Sequence, residues 1–304
     1  MNKIKNLDIN FQIDHFCNYD CHYCQIPSFD KKNKNKHISP EIIKEFFKNI
    51  YESNIILSGG EPFLFPEFLN ICQLLIKNNN NIVIYTNLSS DLIFEFANKL
   101  DPKKVSNIRA SLHLTELKKF NSKDKFIERY NYLIKKGFHV EVPIVMWPPI
   151  FKNFENIYKE FVSYGIYLIP LSFFGKYKEK DYPENYTKKE LETIKKYFEK
   201  TNKHFKGNYS NPTEISKSKI SYKGNLCLTG IKFIAIFPDG TIRRCYTDEE
   251  SLGNLKDNKL KLFSKVMLCT SEYCTCPGVG NFYCLNKNKK KENIFSSIIK
   301  KILN

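Results

Sequence analysis

The sequence predicts an α/β fold, a partial (β/α)6 barrel of TIM type followed by a small C-terminal β-hairpin and a cysteine-rich domain. Three observations carry this. Short apolar runs alternate with amphipathic stretches up to about residue 175, and such alternation implies parallel strands joined by right-handed crossovers. Most of the runs are continuous rather than strictly alternating, as in strands covered on both faces. Beyond residue 175 the pattern changes to a helix, a polar stretch, a hairpin signal and six of the ten cysteines.

The elements follow in order. Leu7, Ile9, Phe11 and Ile13 alternate as a strand with one buried face. Residues 15–37 read as a cysteine-bearing and then polar loop. Ser39 and Pro40 open a helix as N-cap and first-turn residue, and Ile42, Ile43, Phe46, Phe47 and Ile50 fall on its apolar face. Ile55 to Leu57 is a strand, followed by Gly59, Gly60 and a helix through Leu74 and Leu75. Ile82 to Tyr85 is the next strand, with a helix near 90–100. Ile108 to Leu114 and Val140 to Met146 are further strands with a helix near 123–136 between them. A helix near 153–164 and a strand over Ile166 to Leu171 complete the barrel. Thr187 and Glu190 form a capping box on a helix to Lys200. Residues 202–225 are polar and loop-like, and Pro238-Asp239-Gly240 turns a hairpin between Ile231–Phe237 and Thr241–Tyr246. These readings divide the chain into a barrel at 1–205, a C-terminal domain at 206–285 and a basic tail at 286–304, helical from about residue 290.

Composition narrows the function. The chain has 304 residues, 42% hydrophobic and 26% charged, which excludes general disorder. No apolar run is long enough to cross a bilayer, and the first ten residues hold no apolar signal core. A cytoplasmic protein is expected, with its ten cysteines reduced and available as metal ligands or catalysts. The formal charge of +16 is spread over Lys-rich runs without interleaved aromatics, so it reads as solvated surface rather than a nucleic-acid groove. An RNA-modifying enzyme is the reading that would use that charge.

Cys17, Cys21 and Cys24 are spaced C-x3-C-x2-C just after the first strand, at the end where a barrel builds its active site. Three thiolates in one tight loop suit three corners of a cubane iron–sulfur cluster and leave one iron open. Structural zinc, with His15 or His22 as a fourth ligand, is the alternative, and with it a non-catalytic zinc-binding interaction protein. Cys72, among Ile71, Leu74 and Leu75, reads as a buried small hydrophobe.

The stretch Cys17-Asn-Tyr-Asp-Cys21-His-Tyr23-Cys24 resembles the signature loop of radical S-adenosylmethionine (radical SAM) enzymes. Ser58-Gly59-Gly60-Glu61-Pro62 matches that family's glycine-rich motif, and Tyr85-Thr86-Asn87 and Ser111-Leu112-His113 end the next two strands as typical family features. The resemblance covers about residues 8–172. It implies a 4Fe–4S cluster on Cys17, Cys21 and Cys24, with S-adenosylmethionine on the open iron. It further implies that Gly59, Gly60 and Glu61 take the cofactor's amine, that Thr86, Asn87 and Ser111 contact its ribose or carboxylate, and that Tyr23 and the strand around Val142 to Ile144 cradle adenine. His113 reads as structural.

Cys227, the hairpin and the Gly240-x4-Cys245 spacing resemble the SPASM or twitch auxiliary-cluster domains of that family. The later spacing, Cys269-x4-Cys274-x-Cys276-x7-Cys284, departs from the SPASM pattern. One auxiliary 4Fe–4S cluster is therefore expected, on Cys227 and Cys245 with partners from Cys274, Cys276 and Cys284, and with Cys269 undecided. The expected activity is reductive cleavage of S-adenosylmethionine and hydrogen abstraction from a peptide or protein, or from a small carbinol. A flavodoxin or ferredoxin is the implied electron donor. No catalytic acid or base is identifiable from the sequence.

Overall fold

The computed structural model describes residues 3–32, 38–204, 222–271 and 283–285. Strands β1 (Asp8–Asp14), β2 (Asn54–Gly59), β3 (Asn81–Thr86), β4 (Val105–Ala110), β5 (Val140–Met146) and β6 (Leu168–Ser172) pair in chain order, all parallel. β6 ends the sheet without meeting β1, so the barrel is open, as the sequence predicts. Helices α1 (Pro40–Phe47), α2 (Phe68–Lys77), α3 (Leu92–Lys99), α4 (Leu114–Lys119), α5 (Lys123–Lys135) and α6 (Phe154–Ser163) make the crossovers. Ile55, Leu57, Ile82 and Ile84 are fully buried in one core with Phe46 and Phe47 of α1 and Ile71 and Leu75 of α2. Cys72 is also fully buried there, as expected of a small hydrophobe. No helix among the described residues is long and apolar enough to cross a membrane.

β4 begins and ends earlier than the periodicity suggests. The sequence carries it through Leu114, whereas the strand ends at Ala110; beyond it Ser111 N–H bonds to Thr86 O at 2.8 Å and Leu112 N–H to Pro143 O at 2.9 Å. The chain then turns, and His113 stands at the start of α4.

A hairpin that the sequence did not announce follows the barrel, β7 (Gly175–Tyr177) with β8 (Lys180–Tyr182). Helix α7 (Lys188–Asn202) comes next, and Thr187 and Glu190 form the predicted capping box. Tyr186, between hairpin and helix, ties the barrel's end together. Its hydroxyl accepts from Phe173 N at 2.7 Å and donates to Met146 O at 2.6 Å, joining the ends of β5 and β6.

The C-terminal region is short strands. β9 (Leu226–Cys227) precedes β10 (Phe233–Ile236), β11 (Thr241–Arg243), β12 (Ser251–Asn254) and β13 (Lys259–Leu260). β10 and β11 form the predicted hairpin around Gly240, whose φ of +88° suits glycine. β10 also pairs in parallel with β1, Phe233 opposite Asp8 through Ile236 opposite Phe11. The hairpin thus extends the barrel sheet beyond its first strand, into ten strands in all. Separately, β9 lies between β14 (Met267–Leu268) and β15 (Cys284–Leu285), antiparallel to both. The expected tail helix, Cys274 and Cys276 lie outside the described residues.

Tyr186→Phe removes a hydroxyl that satisfies two backbone groups. A loss of about 2 kcal/mol is expected, the usual order for buried groups left unpaired, read as a lower urea midpoint at unchanged slope.

Candidate active site

The cysteine loop leaves the sheet at the C-terminal end of β1 and lies directly on the Gly59–Gly60 turn that ends β2. Gly60 N–H bonds to Asp14 O at 2.8 Å, and Glu61 N–H to Phe16 O at 2.9 Å. A Cβ at Gly59 would stand 2.1 Å from Asp14 O, and one at Gly60 2.0 Å from Phe16 O. Gly59 also holds a φ of +125°. Both positions therefore require glycine whether or not a ligand is near. Farther along, Cys17 N–H bonds to Lys31 O at 3.0 Å. The Lys31 ammonium, only 3% exposed as a residue, reaches Asp20 at 2.6 Å and pulls that carboxyl down to about 2. The loop is thus closed on itself beneath its three sulfurs.

Glu61 is buried and occupied. Its carboxylate accepts from Phe63 N at 3.1 Å, Thr86 Oγ1 at 2.7 Å and Asn87 N at 2.6 Å. Burial raises its pKa to about 7, while the three donors pull the other way. Thr86 Oγ1 also accepts from Leu88 N at 3.0 Å. Glu61 and Thr86, expected at the cofactor, are in this structure engaged with each other and with backbone, locking the end of β2 to the end of β3. Asn87 faces the loop: its Nδ2 donates to Cys17 Sγ at 3.7 Å and to Asn18 Oδ1 at 3.1 Å. Ser111 is half-buried just after β4, its N–H bonded to Thr86 O.

Aromatic side chains form the other side of the mouth. Tyr23 Oη lies 2.9 Å from His113 Nδ1, their rings stacked at 5.8 Å, and Trp147 is 5.6 Å from Tyr23. Burial lowers the His113 pKa to about 4, so the imidazole is neutral at pH 7. Trp147, which follows β5, was not singled out by sequence, although it is the chain's only tryptophan and sits where a barrel strand ends. Val142 and Ile144 lie 1% and 2% exposed in the core.

The sulfurs differ in setting: Cys21 is buried, Cys17 half-buried and Cys24 exposed. Burial pushes the Cys17 thiol up to about 12 and the Cys21 thiol higher still. Thiols so placed stay protonated until a cation stabilises the thiolates. Tyr19 N–H, 3.4 Å from Cys17 Sγ, and the Asn87 amide are poised to donate to that sulfur once charged. Among the described residues no three His, Cys, Asp or Glu donors gather about a point for a single ion. The donor set of thiols, with hydrogen bonds already aimed at one sulfur, fits a cluster that offers each thiolate its own iron.

A second cysteine group forms at β9. Pairing of β9 with β15 sets Cys227 directly opposite Cys284. Cys245 and Cys269 line the same small cavity, together with Thr229 and Arg244. The structure thus brings together Cys227, Cys245 and Cys284, and adds Cys269, which spacing alone left undecided. Arg244 is 3% exposed; its Nε donates to Thr229 Oγ1 at 3.1 Å and its Nη1 to Leu268 O at 3.2 Å.

Gly60→Ala drives a methyl into the Phe16 carbonyl. The expected outcome is a several-fold loss of iron retained after anaerobic reconstitution, with far-ultraviolet circular dichroism unchanged. Cys72→Ala, at a fully buried position of the apolar core, should keep its iron.

Residues 12–161 match the family model described as the radical SAM superfamily. Among solved structures, native anSMEcpe with bound AdoMet superposes with a TM-score of 0.58 at 18% identity, over 83% of this chain and 78% of that one. Streptococcus suis SuiB bound to S-adenosylmethionine gives 0.57 at 13% identity, over 83% of this chain and 63% of that one. SuiB bound to precursor peptide SuiA gives 0.55 at 14% identity, over 83% and 62%. The chain thus spans less than two thirds of SuiB, and at these identities the likeness is one of fold. A search of the curated proteins finds no match. The family model spans the cysteine loop, the Gly59–Gly60 turn and the barrel from the end of β1 through β5, so residues 12–161 carry a radical SAM domain.

Proposed function

We propose that this protein cleaves S-adenosylmethionine reductively and uses the resulting radical to abstract hydrogen from a peptide or protein substrate. The observation that carries the reading is the cysteine loop: three thiols at the C-terminal mouth of an open barrel, held by backbone contact to Gly59–Gly60 and by Asn87 at Cys17. A 4Fe–4S cluster on Cys17, Cys21 and Cys24 would supply the electron that splits the sulfonium of S-adenosylmethionine into methionine and a 5′-deoxyadenosyl radical. The chain's own residues do the rest. The Glu61–Thr86–Asn87 bonds hold the glycine turn and the loop in fixed relation. Tyr23, His113 and Trp147 wall the mouth with aromatic surface that excludes water from a reactive radical. The peptide branch is favoured because solved structures of similar fold include SuiB bound to precursor peptide SuiA, and anSMEcpe with bound AdoMet and Cp18Cys peptide. A low-potential donor of the flavodoxin or ferredoxin kind would deliver the electron.

The second group is read as the ligands of an auxiliary 4Fe–4S cluster, now on Cys227, Cys245, Cys269 and Cys284. Four thiolates would leave it no open iron, which suits electron relay rather than substrate binding.

Anaerobically reconstituted, reduced protein should convert S-adenosylmethionine to 5′-deoxyadenosine, followed by chromatography. Replacing Cys17, Cys21 and Cys24 with Ala should abolish that product, and product persisting in the triple variant would sink the assignment. In that triple variant the remaining iron should be close to four per chain. Adding Cys269→Ala should remove most of it, whereas retention would return Cys274 or Cys276 to the ligand set.

A further inference from the structure

Beyond the ends of β5 and β6 lies a cavity of about 420 Å3, of whose lining the roles above use only Trp147. Its lining comes from three separate places. His22 belongs to the cysteine loop, Trp147 follows β5, and Phe173, Lys176, Tyr177 and Lys178 come from the end of β6 and the β7–β8 hairpin. We propose that this cavity is a substrate subsite for an acidic peptide segment, whose carboxylates bind Lys176 and Lys178 while its apolar groups lie on Trp147 and Tyr177. The proposal rests on the peptide-modifying reading and adds a substrate class to it.

Position comes first. Trp147 is 6.1 Å from His22 and 5.6 Å from Tyr23, ring centre to ring centre, so the cavity abuts the loop that carries Cys21 and Cys24. A peptide seated there brings its neighbouring residues to the barrel mouth.

The cavity is also preformed, which lowers the entropic cost of binding. Tyr186 clamps Met146 to Phe173, the backbone positions that set Trp147 and the far wall. Trp147 packs edge-on against Tyr177 at 5.8 Å. Phe173 folds back across its own hairpin, where a Cβ on Gly175 would meet the ring at 2.9 Å. Phe173 is 4% exposed in consequence. A volume near 420 Å3 is within the usual range for small-ligand sites, roughly 300–1,000 Å3, and suits a few residues of extended chain rather than a folded partner.

Charge selects the ligand. Among the described residues the lining holds two lysines and no carboxylate. Lys178 Nζ stands 5.7 Å over the Tyr177 ring, and Lys176 pairs with Glu179 at 3.1 Å. That pair is 59% and 92% exposed, so it is weak and readily exchanged for an incoming carboxylate. The chain's formal charge of +16 steers anions toward the whole surface, and here the aromatic walls give them a place to stop.

The test is calorimetric titration of the reconstituted full-length protein, in S-adenosylmethionine, with the peptide Ac-Gly-Glu-Phe-Asp-Gly-NH2 and its neutral twin Ac-Gly-Gln-Phe-Asn-Gly-NH2. The acidic peptide should bind at least tenfold more tightly at low salt. The advantage should shrink as salt rises and disappear in the Lys176→Ala/Lys178→Ala variant. Trp147→Ala should weaken both peptides. Equal affinity for the twins, no binding of either, or an undiminished preference in the double lysine variant would overturn the proposal. Formation of 5′-deoxyadenosine by the same wild-type preparation keeps the two readings apart. If it forms while the peptides fail, only the subsite falls; if it never forms, the parent reading falls, whatever the peptides do.

Discussion

The site depends on a contact between two stretches of main chain. Asp14 to Phe16 lies against Gly59 and Gly60 so closely that no β-carbon fits between them. The contact costs conformational entropy, since glycine loses more freedom on folding than any other residue. It also fixes where the first cysteine starts, and the later positions follow from it. Glu61, the next residue, holds the end of β3, and Asn87 at that end reaches back to Cys17. Sequence motifs that lie tens of residues apart are one hydrogen-bonded unit. The motif glycines are therefore as much about supporting the thiols as about admitting a ligand.

The C-terminal half is attached by the sheet itself. β10 takes the free edge of β1, the strand that delivers the cysteine loop. Tyr283, beside Cys284, donates a hydrogen bond to Asp8 at the start of the same strand. Strand pairing resists relative movement far better than a loop contact does: Cys245 follows β11 in the sheet that β1 shares, and Cys227 and Cys284, in a separate three-stranded sheet, are tied to β1 through the Tyr283–Asp8 bond. An electron relay between them would benefit from that fixed relation.

The six barrel strands were legible because each is a short apolar run followed by a turn signal, a purely local property. The cysteine loop was legible for the same reason, as a spacing. What escaped was set by distant pairing. Phe233-Ile234-Ala235-Ile236 is buried along its whole length, the mark of a central strand rather than a free hairpin. The unbroken apolar run was the available signal, but it does not name its partner. Cys269 joined the second group only through the register that fixes β9 between β14 and β15. Glu61 accepts three hydrogen bonds from Phe63, Thr86 and Asn87, and a spacing cannot show which way a carboxylate turns. Trp147 and the β7–β8 hairpin carried no motif, and their significance comes from the strap at Tyr186.

The parallel pairing of β1 with β10 has a consequence for how the molecule is made. On a ribosome, β1 emerges early, and the strand that covers its outer edge is synthesised more than two hundred residues later. Until then a nascent barrel shows an uncapped β edge, the kind of surface on which chains stick to one another. The cysteine loop is already complete at that stage, so its three thiols are made on a chain whose sheet edge is still open.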